Sequence, residues 1–412
     1  MGIDDAGMKK TEARVDLSVG QRFNVTIEKI AHGGHFIARH LGAVIFVRHG
    51  IPGEEVEIEI TGTGSSFNRA DVVSVVSASA DRVSAPCQFA HRAGCGGCDF
   101  QHISLERQRK LKSEVISEQF SRIAKKEVDV EVEEVGGPLG YRTRFSAVTT
   151  RDGVLGFRQA RSNKVVPVSD CRILQPELKY QELSNRKWKG DLQVEVSISS
   201  SGERTIATGY TRDESPVRTS EGPDIATYKV NEASLEVSQR SFWQSHKSAP
   251  TVLCGAVLQY ADIKAGDQVL DLYGGVGLFT SQIIELVGEN GRVDLVEGSK
   301  SATGDALRNF ADDANVGIHT GDVEKILPRF SKADVIVLDP PREGAGKNVV
   351  QSMVSLKPRA IVYVACDPAA LARDCAYLES SGYVLQEIRA FDLFPMTQHI
   401  ESIALFKPVK VS

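Results

Sequence analysis

Five short stretches of the chain carry side chains whose types and spacing suit chemistry. The first is Asp271-Leu-Tyr273-Gly-Gly-Val-Gly277, followed by Glu297 at the end of the next β-type run. Glycines let a backbone approach a cofactor, and an acid on the neighbouring strand end can accept hydrogen bonds from two ribose hydroxyls. Such a turn suits NAD or S-adenosylmethionine, but the dinucleotide spacing wants a third glycine where this chain has Phe279. The second stretch, Asp339-Pro-Pro-Arg342, would hold a carboxylate and a backbone carbonyl beside a planar base. The third, Cys366-Asp-Pro, lies just before a helix whose N-terminus favours a thiolate, so Cys366 reads as a nucleophile. In the fourth, His399-Ile-Glu401, the acid stands at the approach to the apolar strand Ile403-Ala-Leu-Phe406 and suits a general base. The fifth is Cys87, Cys95 and Cys98, with Cys171 downstream. Four thiolates can hold tetrahedral zinc or an iron–sulfur cluster; the three-plus-one spacing, with glycines at 96 and 97, favours a four-iron, [4Fe-4S], cluster. Cys254 and Cys375 read as buried packing residues.

The elements that must position these groups fall into successive regions. Residues 1–15 are polar and predict a flexible tail. Residues 16–77 alternate β-type runs with glycine turns, and their five strands predict an OB-type β-barrel. Residues 78–240 form a β-rich central region that contains the cysteine cluster, with one strong helix over 104–124 that can pack on the catalytic domain. Residues 241–412 alternate β and α, with a motif at the carboxyl end of each of several strands. That pattern describes a Rossmann-like α/β domain, doubly wound, which binds ligands along the edge where those strands end.

Composition narrows the class further. The 412 residues carry a net charge of −5, yet the charge is unevenly spread. Residues 139–172 hold seven Arg or Lys against two acids, and residues 81–126 hold nine against five. A basic face for a polyanion, with an acidic remainder, fits that division. No apolar run approaches the roughly 18–20 residues of a membrane span. The N-terminal residues lack the apolar region of a signal peptide. Unpaired cysteines in such a chain point to a reducing, cytoplasmic setting, with no membrane contact. Nothing in the sequence calls for an obligate protein partner.

Taken together and in order, these motifs resemble the RNA 5-methyluridine (uracil-C5) methyltransferase family, whose members methylate uracil in tRNA or rRNA. The resemblance covers nearly the whole chain. Residues 16–77 look like that family's TRAM domain, Cys95-Gly-Gly-Cys98-Asp-Phe-Gln101-His102 like its cluster segment, and Phe242-Trp-Gln244 like its Phe-x-Gln motif. It implies a class I methyltransferase domain, with Gln244, Tyr273, Glu297, Asp322 and Asp339 binding S-adenosylmethionine. It further implies Cys366 as nucleophile, Glu401 as base, and Cys87, Cys95, Cys98 and Cys171 as ligands of a [4Fe-4S] cluster. Two features depart from the family's pattern: Tyr273-Gly-Gly replaces a more usual Phe-Cys-Gly, and the gap between Cys87 and Cys95 is longer than is common. Two rival readings follow from the same residues. One is an amino methyltransferase that uses Asp339-Pro-Pro; the other is an RNA-binding iron–sulfur protein without catalysis.

Overall fold

The computed structural model describes residues 16–211 and 217–409. The tail expected over 1–15 lies outside the described residues. The chain divides into two compact units, one running to Ala85 and including His102–Ser104, the other formed by Pro86–Gln101 and everything from Leu105 onward.

The first unit is a six-stranded sheet of β1 (Arg22–Thr26), β2 (Lys29–Ala31), β3 (His35–His40), β4 (Ala43–Arg48), β5 (Glu55–Gly62) and β6 (Asn68–Ser77). Alternation of apolar and polar residues, as in Val56-Glu-Ile-Glu-Ile60, buries one face and leaves the other to water. Strand order is β1-β5-β6-β4-β3-β2, and three register shifts between β5 and β6 curl the sheet. The curl brings the Phe23 ring of β1 to 4.0 Å from His40 of β3, across the sheet. Five strands were expected here and six are found, because the first run breaks at Ile27 and Glu28, whose N–H groups donate to Glu54 and Ile37 instead. Below the sheet, the fully buried Glu54 accepts two hydrogen bonds from Arg82 and one each from the Ile51 and Ser79 N–H groups. A buried carboxylate is tolerated only when it is paired and saturated in this way.

In the second unit, α1 (Leu105–Gln119) leads into a short strand β7 (Val132–Glu134). Six antiparallel strands follow: β8 (Arg144–Thr149), β9 (Leu155–Arg158), β10 (Val165–Pro167), β11 (Leu192–Ile198), β12 (Arg204–Tyr210) and β13 (Arg218–Glu221), with the small helix α2 (Tyr180–Asn185) against them. A hairpin, β14 (Ile225–Val230) and β15 (Ala233–Ser238), then leads to α3 (Ala249–Ala261). From there strands and helices alternate: β16 (Gln268–Leu272), α4 (Thr280–Val287), β17 (Arg292–Glu297), α5 (Lys300–Asn309), β18 (Val316–Thr320), α6 (Val323–Ile326) and β19 (Val335–Leu338). The chain ends with α7 (Gly346–Ser355), β20 (Ala360–Ala365), α8 (Pro368–Ser380), β21 (Tyr383–Asp392) and β22 (Glu401–Pro408).

The eight-stranded sheet has the order β18-β17-β16-β19-β20-β22-β21-β7. Its central strands are parallel and buried along their whole length, as in Val335-Ile-Val-Leu338, which is why they read as continuous apolar runs. β22 runs antiparallel between β20 and β21. The order reverses at β16 and β19, so a crevice opens beyond the carboxyl ends of those strands. Two elements from the region before residue 240 also belong to this layer: β7 pairs in parallel with β21, and α1 packs on α8. Among the described residues no helix is long and apolar enough to cross a membrane.

Candidate active site

β16 delivers the chain into the glycine turn with Tyr273 in the left-handed region, at φ +59°, a conformation that a bulky side chain adopts only under constraint. Gly277 has φ +97°, and a Cβ there would stand 2.2 Å from the Phe310 ring. Only glycine fits. Asp271, with no exposed surface, uses one carboxylate oxygen to accept from both the N–H (3.0 Å) and hydroxyl (2.7 Å) of Thr280, which fixes the start of α4. Among the described residues its other oxygen has no hydrogen-bond partner, and burial pushes its pKa up to about 6. At the end of β17, Glu297 is held by both oxygens, from the Gly275 N–H at 3.0 Å and the Ser299 N–H at 2.6 Å. Asp322 caps α6 by accepting from the Glu324 N–H, and its charge helps burial to raise the Tyr273 phenol.

Gln244, Tyr273 and Asp339 line one cavity with Trp243, Gly275 and Phe279. Glu297 and Asp322 stand beside it at the next strand ends, Glu297 joined to it through Gly275. Gln244 is presented by a loop that β8 and the residues before it grip. Thr143 donates from its N–H to Ser245 and from its hydroxyl to the Gln244 carbonyl, while Arg144 donates to the Trp243 carbonyl at 3.1 Å. On the outer side of that loop, Phe242 is 68% exposed and forms one wall of a cleft of about 650 Å³. Arg142, Arg240 and Tyr210 also line it.

Cys366 and Glu401 meet by strand register. Ala365 of β20 pairs with Ser402 of the antiparallel β22, so one step on Cys366 leaves the sheet beside Glu401. Asp339, leaving β19 next to β20, faces both. Three acidic groups on one edge oppose one another's ionisation. Burial, then Glu401 and Asp339, push the Cys366 thiol up to about 12. Burial and Asp339 push the Glu401 carboxyl well above its usual range. Burial and Asp271 take Asp339 to about 7. The exposed guanidinium of Arg342 is the opposing influence on both Cys366 and Glu401.

The helix-terminus argument for a ready thiolate therefore does not hold. The first amides of α8 donate to Asp367, whose Oδ1 accepts from Ala369 and Ala370 at 2.9 Å each, and that carboxylate adds to the charge against Cys366. His399 is held neutral, near 4, by burial and by Arg342, Lys112 and Arg142.

The sequence names Arg342 within a motif and Arg144 within a basic stretch, but gives neither of them, nor Thr143 or Asp374, a role of its own at the site. The one available signal was an acid, Asp374, on the apolar side of a helical pattern (Leu371, Cys375, Leu378). Cys87, Cys95, Cys98 and Cys171 converge on one pocket, walled by Phe89 and Phe157. Burial, followed by their mutual repulsion, raises the Cys98 and Cys171 thiols to about 12. Gly96 lets the cysteine loop close on its neighbour, since a Cβ there would stand 2.4 Å from the Ala160 nitrogen. Among the described residues, no three His, Cys, Asp or Glu side chains are grouped to hold a single metal ion.

Known proteins share both sequence and fold with this chain. Residues 16–73 match the TRAM domain and residues 323–408 match the family tRNA (Uracil-5-)-methyltransferase. A Streptomyces avermitilis protein described as an RNA methyltransferase is 39% identical, over 95% of this chain and 99% of its own length. The 23S rRNA (uracil(1939)-C(5))-methyltransferase RlmD of Shewanella amazonensis is 31% identical, over 95% of this chain and 97% of its own. In fold, the crystal structure of Pyrococcus abyssi tRNA (uracil-54, C5)-methyltransferase with S-adenosyl-L-homocysteine superposes with a TM-score of 0.71, at 22% identity, over 93% of this chain and 99% of that one. With the glycine turn, the Asp339–Arg342 loop and the Cys366–Glu401 pair on one sheet edge, the chain belongs to the S-adenosylmethionine-dependent RNA (uracil-5-)-methyltransferase family.

Proposed function

We propose that the protein methylates carbon 5 of a uridine in rRNA or tRNA through a covalent bond between Cys366 and the uracil ring. The observation that carries this reading is the β20–β22 register, which sets a thiol and a carboxyl side by side beyond the cavity lined by Gln244, Tyr273 and Asp339.

The residues at the glycine turn fit S-adenosylmethionine. The two backbone bonds to Glu297 fix its carboxylate while leaving lone pairs free for ribose hydroxyls, and the open face at Gly275, where a Cβ would meet nothing within 4 Å, leaves room for a ligand. When bound, that cofactor supplies an electrophilic methyl group on a sulfonium. Gln244, Tyr273, Glu297, Asp322 and Asp339 are the residues that would hold it. The protein's task is to make carbon 5 of uracil nucleophilic.

Cys366 must first lose its proton, against the raised pKa described above. Its sulfur pair then forms a bond to carbon 6, and the carbon 5–carbon 6 π pair moves out towards oxygen 4 as an enolate. Arg342 is the cation at hand to favour negative charge on this edge. Carbon 5, made nucleophilic through the enolate, would then take the methyl group that the bound cofactor would supply, the former sulfur–methyl bonding pair staying on the cofactor's sulfur. Glu401, ionised at that point, takes the proton from carbon 5. The released pair re-forms the ring double bond, and the Cys366 sulfur leaves with its own pair. A uracil in folded RNA must be turned out of its stack to reach this edge. The cleft formed by Arg142, Arg240, Tyr210 and Phe242 offers cationic and aromatic surface for the neighbouring nucleotides.

The donor set of the four-cysteine pocket, four thiols in one pocket, supports a [4Fe-4S] cluster, which those cysteines would hold. Its role in this reading is to fold and orient the chain, not to transfer electrons. Anaerobically purified protein should contain about four irons per chain with matching acid-labile sulfide; zinc in their place would remove the cluster and leave methyl transfer standing.

The decisive experiment uses total RNA from cells lacking the gene. Wild-type enzyme should transfer labelled methyl groups into 5-methyluridine, Cys366→Ala should transfer none, and Glu401→Gln should accumulate an adduct that survives a denaturing gel. Full turnover by Cys366→Ala would overturn the covalent reading and favour the amino methyltransferase. The same RNA fractionated into ribosomal and transfer pools identifies the target class.

A further inference from the structure

Glu401 follows an irregular segment, and that segment is held chiefly by the part of the chain around the cysteines. Met396, a non-glycine residue, sits at φ +68°, so the Pro395–Met396 turn persists only because its surroundings over-determine it. Three residues supply the constraint. The Tyr141 hydroxyl donates to the Pro395 carbonyl at 2.9 Å. Gln108 accepts from the Met396 N–H at 2.8 Å and donates to the Phe100 carbonyl at 3.0 Å. The Phe100 N–H in turn donates to the Met396 carbonyl at 3.0 Å. Tyr141, Gln108 and Phe100 have no exposed surface, so these bonds do not compete with water. Phe100 lies two residues after Cys98, and Cys98 and Cys171 pack against the small core of Tyr141, Ile173 and Met396. The turn then continues through Thr397, whose hydroxyl accepts from the His399 N–H, to Glu401.

We propose that the four-cysteine pocket is a positioning site for the last step of the reaction: through Tyr141 and Gln108 it holds the Pro395–Met396 turn, and so sets where the Glu401 carboxyl meets carbon 5 of the methylated ring. The proposal rests on the covalent reading above. It separates the two halves of the cycle, because Cys366 lies directly between β20 and α8, whereas Glu401 is the first residue of β22 and its position at that strand's start is set by the braced turn before it. Loosening the brace slows proton removal and adduct release, and leaves adduct formation in place.

The test follows formation and decay of the protein–RNA adduct separately, on RNA from cells lacking the gene. Tyr141→Phe removes only the hydroxyl; it should slow decay about tenfold, the worth of one buried hydrogen bond, and change formation less than about twofold. Gln108→Leu should act in the same direction. Ile173→Val trims one methyl from the core shared with Tyr141 and Met396 but keeps every hydrogen bond to the turn, and should slow decay less than about twofold. Amide hydrogen exchange at Met396 and His399 should quicken in Tyr141→Phe and in Cys98→Ser. Where Cys98→Ser does not fold, wild-type enzyme exposed to an iron chelator takes its place. Parallel losses in formation and decay, normal decay in Tyr141→Phe, a decay defect beyond about twofold in Ile173→Val, or unchanged exchange on losing the thiol or the metal would each overturn the proposal. Absence of any adduct in Glu401→Gln would instead sink the covalent reading, and this inference with it.

Discussion

The Tyr363 hydroxyl donates a 2.7 Å hydrogen bond to the Asp374 carboxylate, and the same carboxylate oxygen accepts from the Ala345 and Gly346 N–H groups. Asp374 has no exposed surface, and Arg373 satisfies its other oxygen while donating to the Glu343 carbonyl. One buried acid on the helix after Cys366 therefore fastens the loop that carries Asp339 and Arg342. Asp374→Ala leaves the Gly346 amide and the Tyr363 phenol without their acceptor, and the Ala345 amide with only the phenol oxygen, which should cost about 2–3 kcal/mol in urea unfolding. It should also lower adduct formation more than Tyr363→Phe does, because the phenylalanine variant keeps both Asp374 bonds to the loop and loses only the contact of the Ala345 N–H with the phenol oxygen.

The raised thiol sets a direction for the pH profile. With Cys366 pushed up to about 12, its thiolate fraction grows tenfold for each pH unit below that value. Adduct formation measured under kcat/KM conditions should climb from about pH 6 to about pH 8.5 without a plateau. A profile flat across that range would mean that the proton leaves in concert with attack on carbon 6.

Stability should run the other way. Asp339 has a folded pKa near 7 against an ordinary value of 3.8, so the folded state keeps a proton that the unfolded chain releases. The folded state is favoured by that proton below the ordinary value, and the contribution is lost as pH rises through about 7. Asp271, near 6, acts with the same sign. Asp339→Asn removes one such group, and its melting temperature relative to wild type should be higher at about pH 8 than at about pH 5. An equal difference at both would contradict the raised pKa.

The glycine turn offers a steric test. Gly277→Ala forces a Cβ against Phe310 in a left-handed backbone, whereas at Gly275 the added carbon meets nothing within 4 Å of the protein. By calorimetry, Gly277→Ala should weaken S-adenosylmethionine binding together with thermal stability. Gly275, at φ +57°, carries the backbone cost alone, about 1 kcal/mol, so Gly275→Ala should weaken binding with a smaller loss of melting temperature than Gly277→Ala. The reverse order would place the ligand elsewhere.

The glycine-turn, Asp339 and Cys366 motifs were legible because each lies where a parallel strand ends, and a strand buried on both faces reads as a continuous apolar run such as Ala360–Ala365. What surrounds them was not. β18, Val316–Thr320, is half-buried at an edge and carries no apolar run. β7 has only three residues, and its partner β21 lies some 250 positions away, so no local period could announce the pairing. The buried Lys112–Asp392 pair, at 2.6 Å, is likewise written in two distant segments that each look like solvated surface. The Cys366 environment failed for a related reason. A helix N-terminus is visible in the sequence, but the acid that occupies it and the carboxyls brought alongside by other strands depend on register.

The pairing of β7 with β21 bears on how this enzyme can be dissected. A fragment beginning at residue 241 would contain every group that faces the glycine turn and the Cys366–Glu401 edge, yet it would leave the ten-residue strand Tyr383–Asp392 as an unprotected border. It would also lose the lysine that neutralises Asp392 inside the protein. A bare strand border with a buried, unpaired charge at its end invites chain-to-chain pairing. Truncation at that point should yield aggregates and not a minimal methyltransferase, whereas a fragment that starts at Pro86 keeps the border covered.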